Sequence, residues 1–121
     1  MKLQELKKYL DYEFESSCYT TPDYLEFQSK YLRYLKKIFN ENNYEILKTM
    51  RNHYEFSLFL KTDNNTVVYL SISDVRYFQN EWYNHILIRT AKDENDYHGD
   101  ENHYTNLPDL IKNIKNLTEE K

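Results

Sequence analysis

The sequence predicts an α+β fold in which two N-terminal helices precede a four-stranded antiparallel sheet and a C-terminal helix, in the order ααββββα. Apolar residues recur every three or four positions before residue 40, alternate with other residues from 44 to 91, and return to the helical spacing after 106. Successive strands joined by short turns form antiparallel sheets, and helices then cover one face. At 121 residues the chain is expected to form one domain, 1–121.

The first segment has the spacing of an amphipathic helix of about four turns. Leu3, Leu6, Leu10 and Phe14 supply its apolar side, and the helix is expected to end near Ser16.

A second helix is predicted to begin at Thr21-Pro22-Asp23. Thr21 can cap it, proline suits the first helical position, and the acid lies in the first turn, where the helix dipole favours negative charge. The apolar stripe ends before the Asn-rich stretch 40–43 and consists of Leu25, Tyr31, Leu32, Leu35, Ile38 and Phe39.

From Tyr44 the apolar period changes to two, which is typical of strands. The first two strands are predicted at 44–50 and 53–61, and Thr62-Asp63-Asn64-Asn65 indicates a tight turn before a third at 66–73. After a connection with two aromatic residues, the fourth strand is expected at 82–91. Loop 92–105 comes next, and Asn106 is predicted to cap a last helix whose apolar side is Leu110, Ile111, Ile114 and Leu117.

The strand alternation divides the sheet into two unlike faces. One face is apolar and is expected to pack under the helices. The opposite one, the polar-aromatic face, consists of His53, Glu55, Ser57, Phe59, Val67, Tyr69, Ser71, Ser73, Tyr83, His85, Leu87 and Arg89. Aromatic residues beside arginine are enriched in binding hot spots. We expect this face to be covered by loop 92–105, by another helix or by a second copy of the chain, or else to bind a partner or ligand.

Six residues are candidates for binding: Arg76, Tyr83, His85, Arg89, His103 and Tyr104. The planar fork of arginine can hold carboxylate or phosphate in a bidentate manner. His85 shares its strand parity with Tyr83 and Arg89, so a small anionic ligand could contact all three. The alternative is that the arginines form ion pairs with Asp74, with Glu55 or with loop 92–105.

The triplet His103-Tyr104-Thr105 matches the His-x-Thr element of two-histidine phosphodiesterases. That chemistry needs a second such element facing the first, and neither His53-Tyr54-Glu55 nor His85-Ile86-Leu87 supplies it. Cys18 has no evident base placed to activate it. We therefore assign no catalytic residue and do not expect an enzyme.

Loop 92–105 concentrates acidic and histidine side chains. It is not an EF-hand, because aligning Gly99 with the glycine of such a loop puts His98 where an oxygen ligand belongs and Thr105 where the closing glutamate belongs. His98, His103 and one carboxylate could hold a transition metal. The alternative is a solvated acidic loop in which Gly99 makes a turn, and we assign neither a metal nor a cofactor.

Composition excludes several classes of function. The formal charge of −4 argues against strong nonspecific nucleic-acid binding, because that affinity comes from lysine and arginine neutralising phosphates. One glycine excludes a phosphate-cradling glycine loop, and a single cysteine, Cys18, excludes an intrachain disulfide, which fits a reducing cytoplasm. No apolar run approaches the roughly 18 residues that a membrane span requires, so we expect no membrane association.

Three segments carry a resemblance to known proteins: Phe56-Ser57-Leu58-Phe59-Leu60-Lys61, Ser71-Ile72-Ser73-Asp74-Val75-Arg76 and Ile86-Leu87-Ile88-Arg89-Thr90-Ala91. Over residues 44–105 the chain resembles small uncharacterised proteins of phages and integrative mobile elements in low-GC bacteria. The resemblance implies a habitat, because such elements encode small acidic proteins that bind and block host defence proteins, anti-CRISPR inhibitors among them.

These residues support two hypotheses. The first is a non-enzymatic binding protein, a phage or mobile-element accessory or counter-defence factor, that engages a host protein through the polar-aromatic face or loop 92–105. The second is a nucleotide- or anion-binding protein, with or without phosphodiester hydrolysis, in which Arg76 and Arg89 hold phosphate while His85 or His103 transfers protons. A homodimer is compatible with either.

Overall fold

The computed structural model describes residues 2–10, 12–14, 22–51 and 56–119. Over these residues the fold is α+β, with one five-stranded antiparallel sheet in the order β1-β2-β3-β4-β5 and four helices. The helices are α1 (Gln4–Lys7), α2 (Pro22–Glu41), α3 (Glu81–Asn84) and α4 (Leu110–Thr118). The strands are β1 (Glu45–Arg51), β2 (Phe56–Lys61), β3 (Val67–Ile72), β4 (Ile86–Ala91) and β5 (His103–Thr105). The α+β class and the antiparallel sheet are confirmed. The predicted helix end near Ser16, the Thr21 cap, and His53 and Glu55 of the polar-aromatic face lie outside the described residues.

The N-terminal helix is shorter than its apolar spacing predicts. α1 ends at Lys7, and the chain continues in turns, with the Tyr9 N–H donating to the Leu6 carbonyl at 3.0 Å. The rings of Tyr9 and Phe14 lie 5.2 and 5.5 Å from that of Phe27 on α2. Burying these rings against α2 takes the place of further helical turns, so the prediction of four turns was wrong.

The long helix α2 begins at Pro22, as the sequence predicts, and packs its buried side on the sheet. The Tyr31 ring is fully buried and makes edge contacts with Phe56 of β2 at 5.6 Å and with Trp82 of α3 at 5.9 Å. α2, β2 and α3 therefore share one aromatic core.

The core face of the sheet is the one that alternation predicts. Leu58 pairs with Leu70, and Leu70 pairs with Ile88, so one buried row crosses three strands. The turn between β2 and β3 contains Asn65 at φ 66°, a conformation that asparagine tolerates better than most residues. The buried core side chains of β2, β3 and β4 are Phe56, Leu58, Leu60, Val68, Leu70, Ile72, Ile86 and Ile88.

A β-bulge in β1 changes the predicted alternation. Ile46 pairs with Leu60 and Lys48 pairs with Phe59, so Leu47 is the extra residue. A bulge residue reverses the parity of the strand residues after it. Ile46 therefore packs against the core while Lys48 lies on the opposite face, although simple alternation puts them on the same side.

The predicted fourth strand was wrong at its beginning. Residues 81–84 form the short helix α3, and β4 starts at Ile86. This turn of helix buries Trp82 completely, with its ring 5.2 Å from that of Phe27. Tyr83 is half-buried beside it and lies on a helix, not on the polar-aromatic face.

The fifth strand was not predicted, because β5 falls within the segment assigned to loop 92–105. It pairs with β4 at the edge of the sheet. The prediction that Asn106 caps the last helix was wrong, because Asp109 is the N-cap of α4, which begins at Leu110. Asn106 Oδ1 instead accepts the Asp109 N–H at 2.8 Å and closes the turn before the helix. Among the described residues, no helix is long and apolar enough to cross a bilayer.

Candidate functional site

Three rows of side chains cross the polar-aromatic face, and two of them carry its aromatic residues. Pairing across the strands defines them, since directly opposed residues share a face. The first row is Lys48, Phe59, Tyr69 and Arg89. The second row is Met50, Ser57, Ser71, Leu87 and Tyr104.

The acidic loop, residues 92–102, covers the first row through Tyr97. The Tyr97 ring makes an edge contact with Phe59 at 5.3 Å and lies 6.4 Å from Tyr69. Phe59 is consequently fully buried on a face that would otherwise be open. Lys48 reaches over the same ring at 5.2 Å and donates to Asn95 Oδ1 at 3.2 Å. The expectation that a loop covers part of this face is thus met at this row.

Arg89 holds the acidic loop from beneath. Its guanidinium donates to Asn102 Oδ1 at 3.0 Å and to the Tyr97 carbonyl. The guanidinium carbon lies 4.6 Å from the centre of the Tyr69 ring, a cation–π distance. The Arg89 Nε is buried and finds no acceptor among the described residues. The Arg89 guanidinium therefore binds the acidic loop of its own chain.

Gly99 and Asp96 shape the acidic loop. Gly99 has φ +55°, and a Cβ placed on it would lie 2.9 Å from both Arg89 Cδ and the Thr90 carbonyl oxygen. The backbone N–H of Gly99 and then that of Lys92 donate to the Asp96 carboxylate, and these bonds lower the pKa of Asp96. The loop is closed by its own backbone and by its contact with Arg89.

His85 and Tyr104 are brought together at the end of the second row. Their rings stack at 4.1 Å with an interplanar angle of 9°. The side chains of His85 and Tyr104 are both exposed, Tyr104 by 53%. Tyr97 of the acidic loop is exposed by 47%. Two exposed tyrosines are thus each fixed by ring contacts on the same side of the sheet.

The other candidate residues lie elsewhere. Arg76, in the connection after β3, donates to both carboxylate oxygens of Asp74 at 3.0–3.2 Å and packs over the Tyr77 ring. His103 pairs with Ile88, so it is on the helix side of the sheet, whereas its neighbour Tyr104 is on the opposite side. The structure therefore groups His85 with Tyr104 and does not place His103 on their face.

His103 lines a cleft between β5 and α4, with a volume of about 420 Å³. Ile88 and Leu117 supply its apolar surface, and Asn113 and Asn116 supply polar groups at α4. The Asn113 amide is already used, because it donates to Thr105 Oγ1.

Negative charge is concentrated in the acidic loop. It carries five carboxylates and one lysine, whereas the rest of the chain carries equal numbers of acidic and basic side chains, because the formal charge of the whole chain is −4. Among the described residues, no three His, Cys, Asp or Glu side chains lie close enough together to hold a metal ion.

Comparisons with family models, with curated proteins and with solved structures found no match to this chain.

Sequence reasoning missed Tyr97 and the cleft. Tyr97 could have been found, because it is the one aromatic residue in the acidic segment 92–102. Packing such a ring on another surface removes its apolar area from water. No sequence pattern indicates the cleft, because it forms only when β5 pairs with β4 and α4 packs beside these two strands.

Proposed function

We propose that the protein is a non-enzymatic binding protein that engages a basic surface of a host protein in the cytoplasm, as an accessory or counter-defence factor of a phage or mobile element. The binding surface consists of Tyr97, Tyr104 and His85 together with the carboxylates of the acidic loop.

One observation carries the proposal: two exposed tyrosines are held in fixed positions, Tyr97 on the acidic loop that bears the net negative charge and Tyr104 on β5, two residues after that loop. Tyr97 packs on Phe59, and Tyr104 stacks on His85. A tyrosine that is already ordered loses little conformational entropy on binding, and this favours tyrosine as an anchor. The ring contacts thus support a preformed binding surface.

Charge indicates the partner's chemistry. A partner rich in lysine and arginine complements the acidic loop and is steered to it by long-range attraction. Surfaces that hold nucleic-acid phosphates have this composition. A protein of that kind is the partner that the acidic loop fits best.

The alternative, an anion site built on Arg76 and Arg89, receives less support from the geometry. Arg76 already holds a carboxylate, Asp74, and Arg89 holds the acidic loop. His85 and His103, the proposed proton-transfer residues, are separated by the sheet, because His85 stacks on Tyr104 and the register puts Tyr104 and His103 on opposite faces.

The test is affinity capture from host lysate by the whole tagged chain, comparing two pairs of variants. Tyr104→Ala and Glu101→Lys change the proposed surface, whereas Tyr77→Ala and Glu119→Lys change an exposed tyrosine and an exposed glutamate elsewhere. Truncating an anchoring tyrosine typically costs about 2 kcal/mol, or roughly thirtyfold in affinity. We expect the first pair to lose the captured protein and the second pair to retain it.

Two results would contradict the proposal. One is a captured protein that all four variants bind equally or lose equally. The other is turnover of a nucleotide or phosphodiester by the pure protein, which would favour the anion-binding alternative.

A further inference from the structure

The two edges of the sheet differ in how they are protected. β1 carries the bulge at Leu47 and the charged residues Glu45, Lys48 and Arg51, which are features that discourage another strand from pairing. β5 carries none of these features, since its residues are His103, Tyr104 and Thr105. One side of β5 pairs with β4, and no strand among the described residues pairs with its other side.

The cleft adjoins this open edge on the helix side. Its apolar surface comes from Ile88, which pairs with His103, and from Leu117 of α4. On the other side of the sheet, Tyr104 stands in the second row, and the acidic loop runs directly into β5 from Asp100 and Glu101. The edge is therefore apolar on one side and acidic on the other.

We infer that the partner contributes an extended segment that adds to the sheet beside β5 as a sixth strand. Successive side chains of a strand point to opposite faces. Alternate residues of the segment would therefore enter the cleft and face the acidic loop, so the segment should alternate apolar and basic residues. Backbone pairing of this kind is an established mode of peptide recognition. The inference rests on the proposed function and specifies its partner.

A defined probe tests this pattern. The blocked peptide Lys-Val-Lys-Val-Lys has the required alternation, Lys-Lys-Lys-Val-Val has the same composition without it, and Glu-Val-Glu-Val-Glu has the alternation with the opposite charge. We expect the first peptide alone to shift the amide resonances of residues 102–105 in the whole protein and to slow hydrogen exchange of the β5 amides that face away from β4.

A variant pair locates the peptide. Asn116→Trp fills the cleft from an exposed position on α4, and Lys115→Trp places the same ring on a different side of that helix. Excluding one valine from the cleft should weaken binding of Lys-Val-Lys-Val-Lys about tenfold in the first variant and leave it unchanged in the second.

Other results would contradict the added strand. Equal binding of the two lysine peptides, or equal effects of the two tryptophans, would overturn the inference. So would self-association of the protein through β5 in the absence of peptide, measured by light scattering, because a second copy would then occupy the edge. If the captured host protein depends on Tyr104 and Glu101 but not on Asn116, the proposed function stands and the added strand does not.

Discussion

Arg89 is the residue whose role changes most between sequence and structure. Its strand position and chemistry predict an exposed fork for an anionic ligand. In the structure the guanidinium instead donates hydrogen bonds to Asn102 and to the Tyr97 carbonyl, and it lies over the Tyr69 ring. An arginine that has three such contacts orders a loop, and the side chains that this loop displays are part of the proposed binding surface.

The close approach of Gly99 to Arg89 leads to a prediction for Gly99→Ala. The left-handed backbone at φ +55° costs a non-glycine residue about 1–2 kcal/mol, and the added methyl group would press on the Arg89 side chain and on the Thr90 carbonyl. We expect the free energy of unfolding in urea to fall by about that amount. Hydrogen exchange of the Asp100 N–H, which donates to the Thr90 carbonyl at 2.9 Å, should become faster.

Glu101→Ala provides the control for Gly99→Ala. It changes an exposed residue of the same loop and should leave both measurements close to those of the unmodified chain. If alanine at position 99 is accepted without cost, the Gly99–Arg89 contact does not determine the loop conformation.

The bulge in β1 yields a prediction at the scale of a single element. Deleting Leu47 leaves Ile46 opposite Leu60 and Lys48 opposite Phe59, now in an unbroken ladder. The fold should therefore survive the deletion, at a cost of about 1 kcal/mol for the half-buried leucine. Urea unfolding and the amide spectrum of β2 would measure the cost and the register.

Deleting Thr49 from the same strand is the matched comparison. No register can then keep both Lys48 and Met50 on the polar-aromatic face, because strand side chains alternate with a period of two. This deletion should destabilise the protein more than the loss of Leu47. Equal stability of the two shortened chains would show that β1 does not depend on its register.

The elements that could be predicted are those whose pattern is local. β2 and β3 alternate regularly and are joined by an asparagine-rich turn, so their positions and core face can be derived from period alone. α3 and β5 could not be predicted in this way. Trp82 continues the strand alternation and becomes helical only because its indole packs under α2, and β5 is three residues long and exists only as a partner of β4.

The candidate site was predictable in part for the same reason. Strand alternation correctly placed Arg89 on the face opposite the core, whereas His85 precedes β4 and reaches that face through its stack on Tyr104. The expectation that loop 92–105 covers part of that face was also met. The separation of His103 from Tyr104 depends on β5 being a strand. Arg76 forms an ion pair with Asp74, two residues away, and this pair is one of the alternatives that the sequence suggested.

At the scale of the whole molecule, one carboxylate ties two residues of the N-terminal segment to α2, in addition to the ring contacts of Tyr9 and Phe14 with Phe27. Glu26 of α2 accepts hydrogen bonds from the Tyr9 hydroxyl at 2.7 Å and from the ammonium groups of Lys30 and Lys8 at 2.9 and 3.2 Å. These bonds, the Tyr9 bond foremost, lower the pKa of Glu26 to about 2. Acid should therefore weaken the attachment of the N-terminal segment.

This linkage gives a pH dependence with a defined sign. Because the pKa of Glu26 is lower in the folded chain than its ordinary value of 4.5, its contribution to stability is complete above pH 4.5 and is lost as the pH falls toward 2. In urea unfolding measured from pH 6 to pH 2, Glu26→Gln should lose stability less steeply than the unmodified chain below pH 4.5. Tyr9→Phe keeps the carboxylate but removes its strongest bond, so its slope should be intermediate. Identical slopes for all three proteins would mean that the N-terminal segment is held by its aromatic contacts with Phe27 rather than by the Glu26 carboxylate.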